Sequence, residues 1–312
     1  MPRFKLIPDN PNVPFIELRK IFYTLSTLLV LASIALYATM GMKFGIDFTG
    51  GIMIEVKTAE PGRISIMREQ LKGLNLGSFE LQEFGAPDDI LIRVQPQDGG
   101  DEAQMAAVNA VKQALGDGVE YRRTELVGPK VSGELFLNGL YAMVAAILAI
   151  LVYIWFRFEW QFGLGAVIAL SHDVISTIGV FSLIQHEFNL STVAAVLTIA
   201  GYSINDTVVV YDRVRENLRK YKTMPMEELL NKSNNETLAR TTMTSFTTLL
   251  ALFALYIFGG EIIRDFAFAM IWGIVVGTYS SVFVAVPLLL KLGVQRGPRE
   301  DEEDTSTIEQ TS

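Results

Sequence analysis

Apolar and polar residues are organised along this chain on two scales. On the long scale, near-continuous apolar runs recur over Ile21–Met40, Leu135–Phe156, Phe162–Ile184, Leu190–Tyr211, Thr241–Phe258 and Phe266–Leu290. As helices rising about 1.5 Å per residue, such runs cross the ~30 Å of hydrocarbon in a bilayer. On the short scale, the stretch between the first two runs has the periods of a water-facing domain. Ile52, Ile54 and Val56 alternate with Met53, Glu55 and Lys57, the two-residue period of a strand. Ile64, Met67 and Leu71 recur at helical spacing. Phe79, Leu81 and Glu83 begin a second strand, and Ile90, Ile92 and Val94 alternate in a third. Asp101 is placed to cap a helix carrying Met105, Val108, Val111 and Leu115 and closed by Gly116; Val119–Val127 completes the set. The order βαββαβ predicts a small ferredoxin-like α+β domain.

The pattern therefore predicts an N-terminal arm at 1–20, a first transmembrane helix at 21–42, an external domain at 43–134, a bundle of five further helices at 135–293 and a tail at 294–312. The first run is too long for a signal peptide and follows a polar arm, so it is expected to stay as an anchor. Arg3, Lys5, Arg19 and Lys20 precede it, Arg157 lies between the second and third runs, and Arg213, Arg215, Arg219, Lys220, Lys222 and Lys232 follow the fourth. Lys291, Arg296 and Arg299 follow the sixth, whereas Gln185–Asn189 has no Lys or Arg and Gly259–Asp265 has only Arg264. By the positive-inside rule both termini are cytoplasmic, and the 43–134 domain is periplasmic.

Composition narrows the chemistry. Half of the residues are hydrophobic, there is no cysteine, and there are only two histidines. Disulfide, thiol and Cys-metal chemistry are excluded, and neither a metal site nor a cofactor is expected. The net charge of −8 is partly local to Glu300–Asp304, which reads as a solvated, disordered end, and no nucleic-acid partner is expected. The external domain has no Gly-rich phosphate loop, nucleophile elbow or metal cluster, so it reads as a binding or force-transmitting module.

Three ionisable residues break the apolar runs. Asp206 sits about one turn inside the end of the fourth run, where a carboxylate costs roughly 2.5–3.5 kcal/mol at a helix centre. Tyr202, Ser203 and Arg213 are spaced to share its face. Arg240 enters the fifth run at a similar depth, followed by Thr241, Thr242, Thr244, Ser245, Thr247 and Thr248, a face suited equally to water or to helix packing. Asp173 lies ~16 Å into the third run, near the midplane, with Ser176 and Thr177 on its face and His172 turned elsewhere. Convergence of Asp173, Asp206 and Arg240 in the bundle would make a group whose proton affinity changes with helix packing. Small residues (Gly139, Ala142, Ala145, Ala146 and Ala149 in the second run, Gly273, Gly277, Ser280 and Ser281 in the sixth) mark close helix approaches.

Six stretches in order resemble the SecF family of bacterial membrane proteins: GIDFTGG (45–51), LVGPKVSGEL (126–135), FRFEW (156–160), ALSHDV (169–174), GYSINDTVVVYDRVREN (201–217) and LARTTMTS (238–245). The resemblance implies half of an RND-type unit, pairing with SecD, association with the SecYEG translocon, and use of the proton-motive force to assist export of preproteins across the bacterial inner membrane. It implies proton conduction by Asp206 and Arg240, with weaker support for Asp173. Ser203, Tyr202, Thr241 and Thr244 are the expected polar support, and membrane lipid the expected surroundings. Two other functions remain open on the residues alone. One is an RND-type small-solute exporter. The other is an intramembrane aspartyl protease using Asp173 and Asp206, disfavoured because helix rise separates the two by roughly 8 Å in depth.

Overall fold

The computed structural model describes residues 11–296 except 62 and 75. The acidic stretch Glu300–Asp304 lies outside the described residues, as do the first ten residues of the N-terminal arm. Six helices are long and apolar enough to cross a membrane: α1 (Arg19–Met40), α5 (Pro129–Arg157), α6 (Trp160–Ile184), α7 (Leu190–Lys220), α8 (Met226–Phe258), and a last segment, Ile263–Lys291. That segment comprises most of α9 (Glu261–Ser280), a π-helical turn (Ser281–Ala285) and α10 (Val286–Lys291). Between α1 and α5 lie α2 (Ile46–Thr49), β1 (Gly51–Thr58), α3 (Ile64–Lys72), β2 (Phe79–Phe84), β3 (Ala86–Val94), α4 (Gly100–Leu115) and β4 (Val119–Val127). The described residues fall into two compact units, one of 42–144 with 186–193, the other of 11–41, 145–185 and 194–296.

The first unit is a four-stranded antiparallel sheet in the order β2-β3-β1-β4. Together with two helices this is the ferredoxin-like topology expected from the sequence. The alternation in β1 puts Ile52, Ile54 and Val56 into one core, with Ile90, Ile92 and Val94 of β3, Met67 and Leu71 of α3, and Val108, Val111 and Leu115 of α4. Two expectations fail in α4. Its N-cap is Gly99, in a positive-φ conformation (φ 120°), so Asp101 lies inside the first turn. Met105 is 54% exposed, and the amide of Gln104 is the fully buried side chain beside it. At the entry to β1, Gly51 has φ 115°, and a Cβ there would fall 2.5 Å from the Val94 carbonyl oxygen. Only glycine suits that position.

Residues 186–193 join the same unit, a connection that charge counting along the chain did not suggest. Phe44 and Phe188 form a parallel bridge, with Phe188 N–H donating to Lys43 O at 2.8 Å and Gly45 N–H to Phe188 O at 3.0 Å. Phe44, Phe48, Phe136 and Phe188 meet edge-on or tilted around it. Asn189 Oδ1 accepts the Thr192 N–H (3.0 Å) and Asp47 Oδ2 the Leu190 N–H (2.9 Å), so the start of α7 is capped by side chains.

The second unit is a helical bundle built on α6, whose buried face includes Phe162, Gly165, Ala166, Ala169, Asp173, Thr177, Gly179 and Phe181. Glycines set its closest approaches. A Cβ on Gly179 would meet Ser33 of α1 at 2.2 Å, one on Gly165 the Tyr211 hydroxyl at 2.4 Å, and one on Gly273 the Ile199 side chain at 2.3 Å. The small residues of the sixth run thus do the packing expected of them. Of those in the second, Gly139 is buried with the Phe48 ring nearest it, whereas Ala142, Ala145 and Ala149 are exposed. The segment before α1 is docked: Phe15 and Ile16 are buried, and the Asn235 amide accepts the Val13 N–H (2.9 Å) and donates to the Val13 carbonyl (3.0 Å). The π turn precedes Pro287, whose ring lacks an N–H and crowds the preceding turn. Two carbonyls in that turn take side-chain donors instead, Val282 O from Asn234 (3.0 Å) and Ala285 O from the Tyr211 hydroxyl (3.2 Å).

Candidate functional site

Two carboxylates lie inside the bundle, and their surroundings differ. Asp173 is fully buried on α6. Its Oδ2 accepts the Ser203 hydroxyl of α7 at 2.5 Å and the Ser280 hydroxyl of α9 at 2.8 Å. Its Oδ1 lies 2.9 Å from His172 Nδ1. Gly277 makes room for this junction, since a Cβ there would sit 3.2 Å from Ser203 and 3.5 Å from Asp173 Oδ2. His172 is therefore a partner of Asp173, not a side chain turned elsewhere. Its ring folds back toward its own neighbour and lies tilted against Tyr279, centroids 6.0 Å apart. Ser176 and Thr177 contribute less directly than their spacing suggested, because both donate to the Asp173 backbone carbonyl (2.9 and 2.8 Å).

Asp206 lies one turn beyond Ser203 on α7 and is 5% exposed. Its Oδ2 is buried without a hydrogen bond among the described residues, and so is the Thr241 hydroxyl of α8. Thr241 and Arg240 are the groups that face the carboxylate, yet no ion pair within 4.0 Å joins Asp206 to Arg240. Arg240 is exposed, as are Asn205 on α7 and Thr244 and Thr247 on α8. A row of polar side chains thus stands at membrane depth on the outer face of α7 and α8. Thr244 itself bonds only back along its helix, to the Thr241 carbonyl at 2.9 Å.

The sequence-predicted set is therefore brought together in part. Asp173 and Ser203 are directly bonded. Tyr202 donates to Ser245 (3.2 Å), which bonds Thr278 (2.6 Å), linking α7, α8 and α9. Arg213 lies two turns beyond Asp206 on the same side of α7, but it does not reach the carboxylate. It pairs with Glu236 (2.7 Å) and Glu216 (2.6 Å) at the end of α7. Asp173 and Asp206 share no hydrogen bond, so the proton-sharing dyad that an aspartyl protease needs is not formed. Ser280 was legible in the sequence only as a small packing residue, and His172 only as a lone histidine. Nothing in their spacing reveals that both close on Asp173.

Comparison with known proteins identifies the family. The family model for the C-terminal part of the SecD/SecF protein export membrane proteins matches residues 107–295, and that for the SecD/SecF GG motif matches 38–61, which includes Gly50 and Gly51. The protein translocase subunit SecF of Cereibacter sphaeroides is 47% identical over 96% of this chain and 95% of its own length. That of Rickettsia rickettsii is 46% identical over 91% and 93%. The crystal structure of SecDF, a translocon-associated membrane protein from Thermus thermophilus, superposes with a TM-score of 0.83 at 34% identity over 92% of this chain. A super-membrane-facing form of SecDF gives 0.67 at 32% identity over the whole chain. This chain spans 40% and 41% of those two SecDF chains. With relatives this similar along nearly its full length, the chain belongs to the SecF branch of the SecD/SecF protein-export family, a multi-pass membrane subunit of an export apparatus and not an enzyme.

Proposed function

We propose that the chain is the SecF half of a proton-driven accessory unit of the Sec translocase, completed by a SecD-type partner. In this reading it lies in the bacterial inner membrane with both termini cytoplasmic and the 43–134 domain periplasmic. The unit works beside the SecYEG channel on preproteins emerging from it. The observation that carries the reading is the buried Asp206 Oδ2, without a hydrogen bond among the described residues, facing an exposed Arg240 that forms no ion pair among them. A buried carboxylate with an open hydrogen-bonding position is an unstable arrangement that a proton, a water or the guanidinium can each complete. Exchange among those three is what coupling proton passage to helix movement requires. Each charge crossing the membrane carries ~2.3 kcal/mol per 100 mV, enough to bias two packings of a helix bundle. Tyr202, Thr241 and Thr244 supply hydroxyls along the route, while Asp173 with Ser203 holds α6, α7 and α9 in register beside it.

Exposed Asn205 and Arg240 support the need for a partner, because lipid cannot satisfy an amide or a guanidinium, whereas the Thr244 and Thr247 hydroxyls bond back to their own helix. The test uses the chain co-expressed with its SecD-type partner. Asp206→Asn and Arg240→Met are each expected to assemble and accumulate normally, to abolish the stimulation of export by the proton-motive force, and to leave ATP-driven translocation intact. Arg240→Lys restores only part, since lysine lacks the planar fork. Normal proton-driven stimulation in both Asp206→Asn and Arg240→Met would reduce these residues to packing elements.

A further inference from the structure

A cavity of about 530 Å³ opens on the surface of the helical unit where α5 turns into α6. Its walls are apolar: Ile154, Trp155, Phe158, Trp160, Leu164 and Val167. Trp155 and Trp160 are 78% and 61% exposed, unusual for the largest apolar side chains unless something else covers them. Both stand at the end of a membrane-spanning helix, the level at which indole rings sit among lipid headgroups.

A second, polar cavity of about 650 Å³ lies beside it, lined by Arg157, Asp212, Arg215, Glu216, Arg219 and Lys220. Phe158 links the two. Its one ring lines the apolar cavity and carries the Arg157 and Arg215 guanidiniums at 4.9 and 5.4 Å from its centroid. The acids here are already engaged. Asp212 accepts two hydrogen bonds from Arg157 (2.7 and 2.8 Å), and Glu216 pairs with Arg213 (2.6 Å) from outside the cavity. Arg219 and Lys220 have no carboxylate partner among the described residues, and Arg215 only a loose one, 3.9 Å from Asp212. An apolar groove that runs from the tryptophans at the helix ends inward to Leu151 and Val167 thus adjoins positive charge that the carboxylates beside it do not offset.

We infer that this paired cavity is a binding site for one anionic phospholipid, with its phosphate held by Arg215, Arg219 and Lys220 and an acyl chain lying in the groove between Trp155 and Trp160. A free anion would use only the polar cavity and leave the tryptophans uncovered. A zwitterionic lipid would fill the groove but bring its own cation to the basic end, and Glu159 on the groove's rim does not offset three cations. Basic pockets between membrane helices recognise anionic headgroups through this combination.

The site carries its own reporters. The chain has three tryptophans, two of them here, so Trp272→Phe leaves fluorescence from the cavity alone. That full-length variant is reconstituted into phosphatidylcholine vesicles containing a small, fixed fraction of brominated lipid. Brominated phosphatidylglycerol is expected to quench several-fold more effectively than brominated phosphatidylcholine. Adding Arg219→Gln and Lys220→Gln should lower that preference about fivefold per charge removed, whereas Lys291→Gln, at the same end of the bundle but away from the cavity, should not change it. Equal quenching by the two lipids overturns the proposal. So does a loss as large with Lys291→Gln, which means diffuse surface attraction, or a loss of quenching when the SecD-type partner is co-reconstituted, which assigns the cavity to a protein helix. Undiminished preference with millimolar inorganic phosphate present is expected; its abolition would mean that a free anion is the occupant.

Discussion

Asp173 and Asp206 are the same residue type at nearly the same burial in one bundle, and they have been treated differently by the fold. Asp173 has donors on both oxygens from three side chains, and a glycine at its back lets two helices approach closely enough to supply them. Asp206 has an oxygen, Oδ2, that lacks a hydrogen bond of ordinary geometry among the described residues, and the Thr241 hydroxyl that faces it lacks one as well. In an apolar medium the first arrangement is a finished joint and the second is an open position. The contrast teaches that burial of a charge in a membrane helix is not one signal but two, and that hydrogen-bond completeness separates them.

The sharpest way to break that comparison is at the finished joint. Asp173→Leu strands the Ser203 hydroxyl and the His172 Nδ1 in an apolar interior and leaves the Ser280 hydroxyl only the Gly277 carbonyl of its own helix. It is expected to cost about 2–4 kcal/mol of stability, seen as a lower midpoint on denaturant titration of the purified protein and lower membrane abundance. Asp206→Asn, by contrast, should move that midpoint by less than about 1 kcal/mol. Equal losses at the two positions would erase the distinction drawn here.

A smaller effect sharpens it. Ser203→Ala removes one of the two hydroxyl donors to Asp173 Oδ2 and leaves the other, so a loss of about 0.6–1.5 kcal/mol is expected on the same titration. A loss as large as that of Asp173→Leu would mean that Ser203 acts through packing against Gly277 rather than through its hydrogen bond.

The smallest effect is expected on the open side. Thr241→Val replaces a buried hydroxyl that has no hydrogen bond of ordinary geometry among the described residues with a methyl of similar size. Stability should be unchanged or raised, within about 0.5 kcal/mol. Clear destabilisation would show that Thr241 is already bonded, through water, to the Asp206 carboxylate.

The residues that made the sheet legible were those with a strict two-residue period. Ile52, Ile54 and Val56 could face only one way once their neighbours were Met53, Glu55 and Lys57, and β1 pairs as that pattern demands. The helix α4 was legible as an element but not in its details. Met105 and Gln104 are adjacent and only about 100° apart around the axis, so hydrophobicity picked the wrong one to bury. Asp206, Arg240 and Asp173 announced themselves because charge is costly in an apolar run. Two partners of Asp173, Ser280 and His172, did not, because serine and histidine are unremarkable in such helices until a carboxylate closes on them. The docking of Phe15 and Ile16 and the bridge from Phe44 to Phe188 depend on chain segments far apart in sequence, where no local period carries information.

The π turn at Ser281–Ala285 gives the last span a tolerance that its neighbours lack. A π turn holds one residue more than the α-helix it interrupts. Loss of a single residue there would return the span to α-helical geometry with both flanks still in phase, whereas the same deletion in α6 would rotate every later side chain by about 100° and carry Asp173 off its donors. Length variation in the bundle therefore has one place to accumulate without disturbing the carboxylates, and it is the place where Asn234 and Tyr211 already hold the carbonyls that the turn sets free.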